Sequence, residues 1–118
     1  MSGTNDFVEV RLHSVAHSRA GDKGNRVNLS LMPYDDRVFS ILAEQVTAEL
    51  VLALFRHRGA TRCVRYDLPE LNAFNFVIDD VLEGGVNSSL NLDGHGKSHS
   101  FRLLGINVRV PAELVPTR

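Results

Sequence analysis

Cysteine is nearly absent. Cys63 is the one thiol in 118 residues, so no intrachain disulfide can form, and the usage fits a reducing compartment. Charge of one sign is also lacking. Thirteen Lys and Arg against fourteen Asp and Glu leave a formal net charge of −1, without the cationic surplus that general binding to phosphate backbones requires. No nucleic-acid partner is therefore expected. Long apolar runs are missing: the strongest, Leu50 to Phe55, falls far below the roughly 20 residues that span a bilayer. The opening MSGTNDFVEV has no basic region followed by an apolar core, so no signal peptide is expected. Together these absences predict a cytoplasmic chain with no membrane partner.

What is present is ordinary for a globular domain, with 43% hydrophobic and 23% charged residues. A chain this long can bury roughly two-thirds of its unfolded surface, enough to fold without a metal or disulfide. No repeat and no low-complexity linker divides it. Residues 1–6 are small and polar and are expected to be disordered, leaving 7–118 as a single domain.

Periodicity gives an element order. Val8, Val10 and Leu12 alternate with Glu9, Arg11 and His13 as a half-buried strand, and Val27, Leu29 and Leu31 alternate with Asn28, Ser30 and Met32 as a second. Asp35 and Asp36 suit a helix start. Val38, Ile41 and Leu42, then Val51, Leu54 and Phe55, recur at helical spacing. This predicts a helix over 36–57, kinked near Val46 and Thr47, with Thr47 capping its second half and Gly59 at its stop. Val64, Tyr66 and Leu68 form another strand closed by Pro69. Phe74, Val77, Ile78 and Val81 fit a helix over 72–83 ending at Gly84-Gly85, with Asp79 and Asp80 on its solvent side. Ser89–Asp93 and Phe101–Val110 read as extended, joined by the turn-rich DGHGK. The sum is an α+β fold, a two-layer sandwich with helices on one face of a mostly antiparallel sheet.

Two segments are candidates for chemistry. In the loop from His17 to Asn28, Gly21 and Gly24 can let an anion approach backbone N–H groups. Arg19 can grip a carboxylate or phosphate in two parallel bonds, Lys23 adds a point charge, and Asp22 orients one of them. The plainer reading is a solvated hairpin connection. The loop is neither a P-loop nor a dinucleotide fingerprint. The second segment, Asp93-Gly94-His95-Gly96-Lys97, repeats the composition of Gly21-Asp22-Lys23-Gly24. The two can converge at one end of the sheet, or the second can be an ordinary hairpin turn. Asn72, Asn75, Asn87, Ser88 and Ser89 supply further polar groups, which either pin a loop or hold a ligand.

Other constellations carry less. The pairs His13/His17 and His95/His99 need a helix to chelate together, and neither lies on an expected one, so no metal site is expected. Cys63 reads as a packing residue. No Gly-x-Ser-x-Gly elbow is present.

The segments "AHSRAGDKGNRVNLSL", "VTAEL", "VRYDLPELNAFNFVIDDVLEGG" and "SLNLDGHGKS", in this order over about residues 8–111, resemble the small C-terminal domain of the acyclic terpene utilisation protein A (AtuA-like) family. That domain also occurs as a free-standing protein. The resemblance implies a ferredoxin-like fold and a place in the catabolism of branched acyclic terpenes through acyl-CoA intermediates. It carries over to Arg19, Gly21, Asp22, Lys23, Gly24 and Asn28, then to Arg65, Tyr66, Pro69, Asn75 and Phe76. Gly84, Gly85, Ser89, Asp93, Gly96 and Lys97 complete the set. Ala20 and Asn91 depart from the family's usual serine and arginine, which puts any ligand held there in doubt.

The expected function is an accessory or small subunit of an AtuA-like catabolic system. It would associate with a larger AtuA-like chain and bind an anionic metabolite through the GDKG and DGHGK segments, at Arg19, Gly21, Asp22, Lys23, Gly24, Asn28, Asn75, Ser89, Asp93, Gly96 and Lys97. No cofactor is expected. Self-association as a homo-oligomer is also expected, through an edge or an open sheet face carrying Cys63, Arg65 and Asp67. The alternative is a small acyl-CoA hydratase- or lyase-like enzyme using Asp22, Lys23, Asp93 and Lys97 as acid and base.

Overall fold

The alternation of large apolar residues in RVNLSLMP and AFNFVID builds the centre of a sheet. Strands β3 (Arg26–Pro33) and β5 (Ala73–Asp79) bury every second side chain. They lie between β2 (Ala16–Lys23) and β4 (Arg62–Leu68), in the order β2-β3-β5-β4 with every pair antiparallel. A second, two-stranded ribbon pairs β1 (Phe7–Arg11) with β6 (Asn107–Pro111). The structure is a computed structural model that describes residues 6–23, 26–81 and 95–115.

The helical segment between β3 and β4 is built as its caps dictate. Asp35 accepts the Arg37 backbone N–H at 2.9 Å and opens a 3-10 turn. Two further bonds from the Arg37 guanidinium hold the Asp35 carboxyl down to about 2. Helix α1 (Phe39–Gln45) follows, and the chain then breaks at Val46 and Thr47. Thr47 accepts the Leu50 N–H at 3.1 Å and starts α2 (Ala48–Phe55). The two halves meet at a 67° bend. Gly59, at φ 95°, supplies the left-handed residue that ends the run. The cap, kink and stop all fall where the sequence predicts them. Among the described residues no single helix is long and apolar enough to cross a membrane.

Three expectations are corrected. Residues 72–83 are not a helix: residues 73–79 form β5, a central strand hydrogen-bonded on both sides. Phe74, Phe76 and Ile78 are buried on one face, and this period of two outweighs the weaker helical match. Asn72, at φ 53°, makes the turn into the strand. Asp79 and Asp80 therefore sit at a strand end, where Asp79 pairs with Arg26 and Asp80 accepts the Thr61 hydroxyl. Second, Phe101–Leu104 is not extended. It belongs to helix α3 (His95–Leu104), which buries His99, Ser100 and Leu103 at helical spacing. Only Asn107–Pro111 is a strand, and the predicted extended segment Ser89–Asp93 lies outside the described residues. Third, His17–Asn28 is not a loop. It is most of the β2–β3 hairpin, whose register pairs Gly21 with Asn28 and Lys23 with Arg26. β2 ends at Lys23 and β3 begins at Arg26.

Helices α2 and α3 pack together on one face of the four-stranded sheet, α2 against β4 and β5 and α3 along β2. Between them and the sheet lies the core, with Leu29, Leu31, Phe55, Phe74 and Phe76 fully buried. Phe39 of α1 stacks on Phe74 at 4.3 Å between ring centroids.

Candidate functional site

A sheet with helices on one face presents the other, and strand alternation decides what it presents. In β2 the positions of Ala16, Ser18 and Ala20 share the helix side, where small residues admit α3. His17, Arg19 and Gly21 share the exposed side. Pairing carries this alternation across the sheet. Arg19, Ser30, Asn75 and Tyr66 make one cross-strand row, and Gly21, Asn28, Val77 and Val64 make the next.

Four of the residues singled out from the sequence therefore meet on one open face: Arg19, Gly21, Asn28 and Asn75. They come from three strands, and two of them touch. The Asn75 side-chain amide donates to the Asn28 side-chain oxygen at 3.2 Å. The Ser30 hydroxyl accepts the Arg19 backbone N–H at 3.2 Å and donates to the Arg19 carbonyl at 3.4 Å. That hydroxyl is thus committed to the backbone, while the Arg19 guanidinium has no partner among the described residues. A Cβ added to Gly21 would meet nothing within 4 Å, so the missing side chain leaves the floor bare beside Arg19.

The neighbouring residues were not picked out as site residues. Tyr66, 51% exposed, closes the Arg19 row from β4. Arg26 binds Asp79 at 2.7 Å, and that hydrogen bond raises the Arg26 pKa. Arg62 lies opposite Asp79. At the far end of the face His17 stacks against Tyr34, with ring centroids 5.4 Å apart. The signal for Tyr66 was its alternation with Cys63 and Arg65, read with the wrong face outward. The face offers a free guanidinium, a phenol hydroxyl and an amide pair over half-buried Val64 and Val77. These are donor groups of the kind that anion oxygens accept from, set beside an apolar surface.

The other predicted residues are placed differently. Asp22 and Lys23 occupy the last two positions of β2, and consecutive strand positions do not share a face. Their N–H groups belong to a paired strand, not to the concave turn an anion nest requires. Gly96 and Lys97 belong to the first turn of α3, in the layer behind the sheet. They do not join Arg19 on the open face. Gly24, Ser89 and Asp93 lie outside the described residues, as do Gly84, Gly85, Asn87, Ser88 and Asn91. Asn72 pins a loop, donating from its side-chain amide to the Pro33 carbonyl at 3.0 Å.

Cys63, Arg65 and Asp67 are not on the open face. They share the helix side of β4. Arg65 donates to the Ala43 and Val46 carbonyls at 2.7 and 3.1 Å, pairs with Asp67 at 2.7 Å and lies over the Phe74 ring. Its role there is to satisfy the broken helix. Among the described residues no three His, Cys, Asp or Glu side chains form a group that could hold a metal ion.

The family of AtuA ferredoxin-like domains matches residues 10–109. No curated protein and no solved structure matches the chain.

Proposed function

The chain belongs to the AtuA ferredoxin-like domain family, and from that premise we propose that it is an accessory subunit which holds an anionic metabolite on its open sheet face and docks with a larger AtuA-like chain. One observation supports the metabolite. Arg19, Asn28, Asn75 and Tyr66, from four different strands, converge on one uncovered face. A carboxylate or phosphate there takes two parallel bonds from Arg19 and further donors from Tyr66 and the Asn28 amide. The half-buried valines beside it suit a branched hydrocarbon chain, as in the acyl intermediates of terpene catabolism. The proposed site is the middle of the sheet, with Gly21 on a paired strand and not in a loop.

Thermal unfolding against coenzyme A, branched acyl-coenzyme A, branched carboxylates and phosphate tests the metabolite. A ligand present at about 100 times its dissociation constant adds ~2.7 kcal/mol, a rise of roughly 10 °C for a domain of this size. The rise should disappear in Arg19→Ala. A flat panel, or an unchanged rise in Arg19→Ala, overturns the open-face site. Co-expression with a larger AtuA-like chain tests the subunit role, which fails if the two do not co-purify.

A further inference from the structure

We propose that the chain forms a symmetric dimer by pairing the free edge of β1 with β1 of a second copy, giving a continuous four-stranded antiparallel sheet β6-β1-β1-β6. The proposal is independent of the open-face site, which lies on the other sheet.

The register of the ribbon identifies the free edge. Leu12 donates its N–H to the Ile106 carbonyl at 2.8 Å, and Ala112 donates to the Asp6 carbonyl at 2.9 Å. In an antiparallel ladder, hydrogen-bonded pairs alternate with pairs whose N–H and C=O groups point away. Counting between these two bonds, Val8 and Val10 bond to β6, whereas Phe7, Glu9 and Arg11 direct their backbone groups outward. The far side of β6 supports this count. Arg109, opposite Glu9, points away from β1, and its N–H and C=O are both satisfied by the Gln45 side-chain amide at 2.8 and 2.6 Å. One edge of the ribbon is therefore closed by a side chain that mimics a strand. The other edge, along β1, has no strand partner among the described residues.

Exposed strand edges are normally blunted by short length and charge. β1 is short and carries Glu9 and Arg11, but their opposite signs make the edge self-complementary instead of self-repelling. Phe7 is 46% exposed and Val8 36%, and Val10 is only half-buried although its neighbours Val108 and Val110 in β6 are buried.

Charge selects the partner and its register. Two copies of β1 related by a two-fold axis at Val10 place Glu9 of each opposite Arg11 of the other, with the two Val10 side chains facing each other. Moving the axis to Glu9 or to Arg11 sets like charges face to face, which is unfavourable. Only outward-directed residues can bond across the new edge, and Glu9 and Arg11 are both of that set. The pairing therefore supplies backbone bonds, two opposite-charge pairs and cover for Val8 and Val10 in a single register. The surface is complementary to itself, as a two-fold interface must be.

Sedimentation equilibrium on the full chain tests the dimer. The wild type should show twice the 13.1 kDa chain mass. Glu9→Arg alone and Arg11→Glu alone should each be monomeric while keeping the wild-type circular dichroism spectrum. Mixing the two variants should restore a dimer, because a strand with guanidinium groups at both positions then faces a strand with carboxylates at both. Amide exchange at Glu9 and Arg11 should slow as wild-type concentration rises. A wild type that stays monomeric at high concentration overturns the proposal, even if these amides become protected on adding a larger chain. So do single variants that remain dimeric, or folded single variants whose mixture does not pair.

Discussion

A thiol on the covered side of a sheet ionises reluctantly. Cys63 faces the helices from β4 and packs against the core. Burial pushes its pKa up from 9.0 to about 11, and the negative charges of Asp79 and Glu49 push the same way. The thiolate is the reactive species, so a rise of that size leaves it about 100-fold scarcer at any pH below 9. Iodoacetamide at pH 8 should therefore modify Cys63 on the order of 100-fold more slowly than a free cysteine peptide, and at the peptide's rate once urea unfolds the chain. An equal rate in the folded protein would place the thiol in water. The sequence showed Cys63 alternating with Val64 and Tyr66 and suggested a packing residue. It did not show which of the two sets faces solvent, because CVRYD mixes polar and apolar residues on both faces.

At the scale of elements, legibility followed the strength of the local signal. Asp35, Thr47 and Gly59 act through their own neighbours, so the broken helix was readable to within a residue or two. The strand β5 was not, since Phe74, Val77, Ile78 and Val81 satisfy a helical period while Phe74, Phe76 and Ile78 satisfy an alternating one. The deciding factor is the presence of β3 and β4 on either side, which is non-local. Helix α3 was missed for another reason: its buried positions include His99 and Ser100, so its inner face is not an apolar stripe.

The helix break itself depends on a distant strand. The last carbonyls of α1 lack helical partners, and Arg65 reaches across from β4 to those of Ala43 and Val46. Removing it leaves both without that donor and Asp67 without its partner. Arg65→Leu should lose about 1–3 kcal/mol in urea unfolding. Arg65→Lys should recover less than half, because one ammonium nitrogen lacks the span of a planar guanidinium, whose Nη1 reaches two carbonyls while its other nitrogens reach Asp67. Full recovery by lysine would reduce the residue to a simple charge.

For the whole molecule, the informative quantity is which residues share a face, and only the register of the four strands supplies it. Arg19, Asn28 and Asn75 looked like parts of a loop and of an asparagine string, yet they meet on the open face of one sheet. The motif residues are thus divided between two tasks. Phe76 and Arg65 hold the helices to the sheet, while Arg19, Asn28, Asn75 and Tyr66 are spent on a surface that nothing in the described fold covers. The division predicts separable effects within a single cross-strand array. Phe76→Ala, on the covered face, should lose about 3–5 kcal/mol, at roughly 4 °C per kcal/mol a fall in Tm of more than about 12 °C. Arg19→Ala, two strands away on the uncovered face, should stay within about 0.5 kcal/mol. Differential scanning calorimetry of both variants without ligand reads the contrast. If Arg19→Ala falls as far as Phe76→Ala, then Arg19 supports the fold and the proposed open-face site loses its guanidinium. If only Phe76→Ala falls, Arg19 contributes little to stability and remains available for the ligand role proposed for it, which the ligand panel then decides.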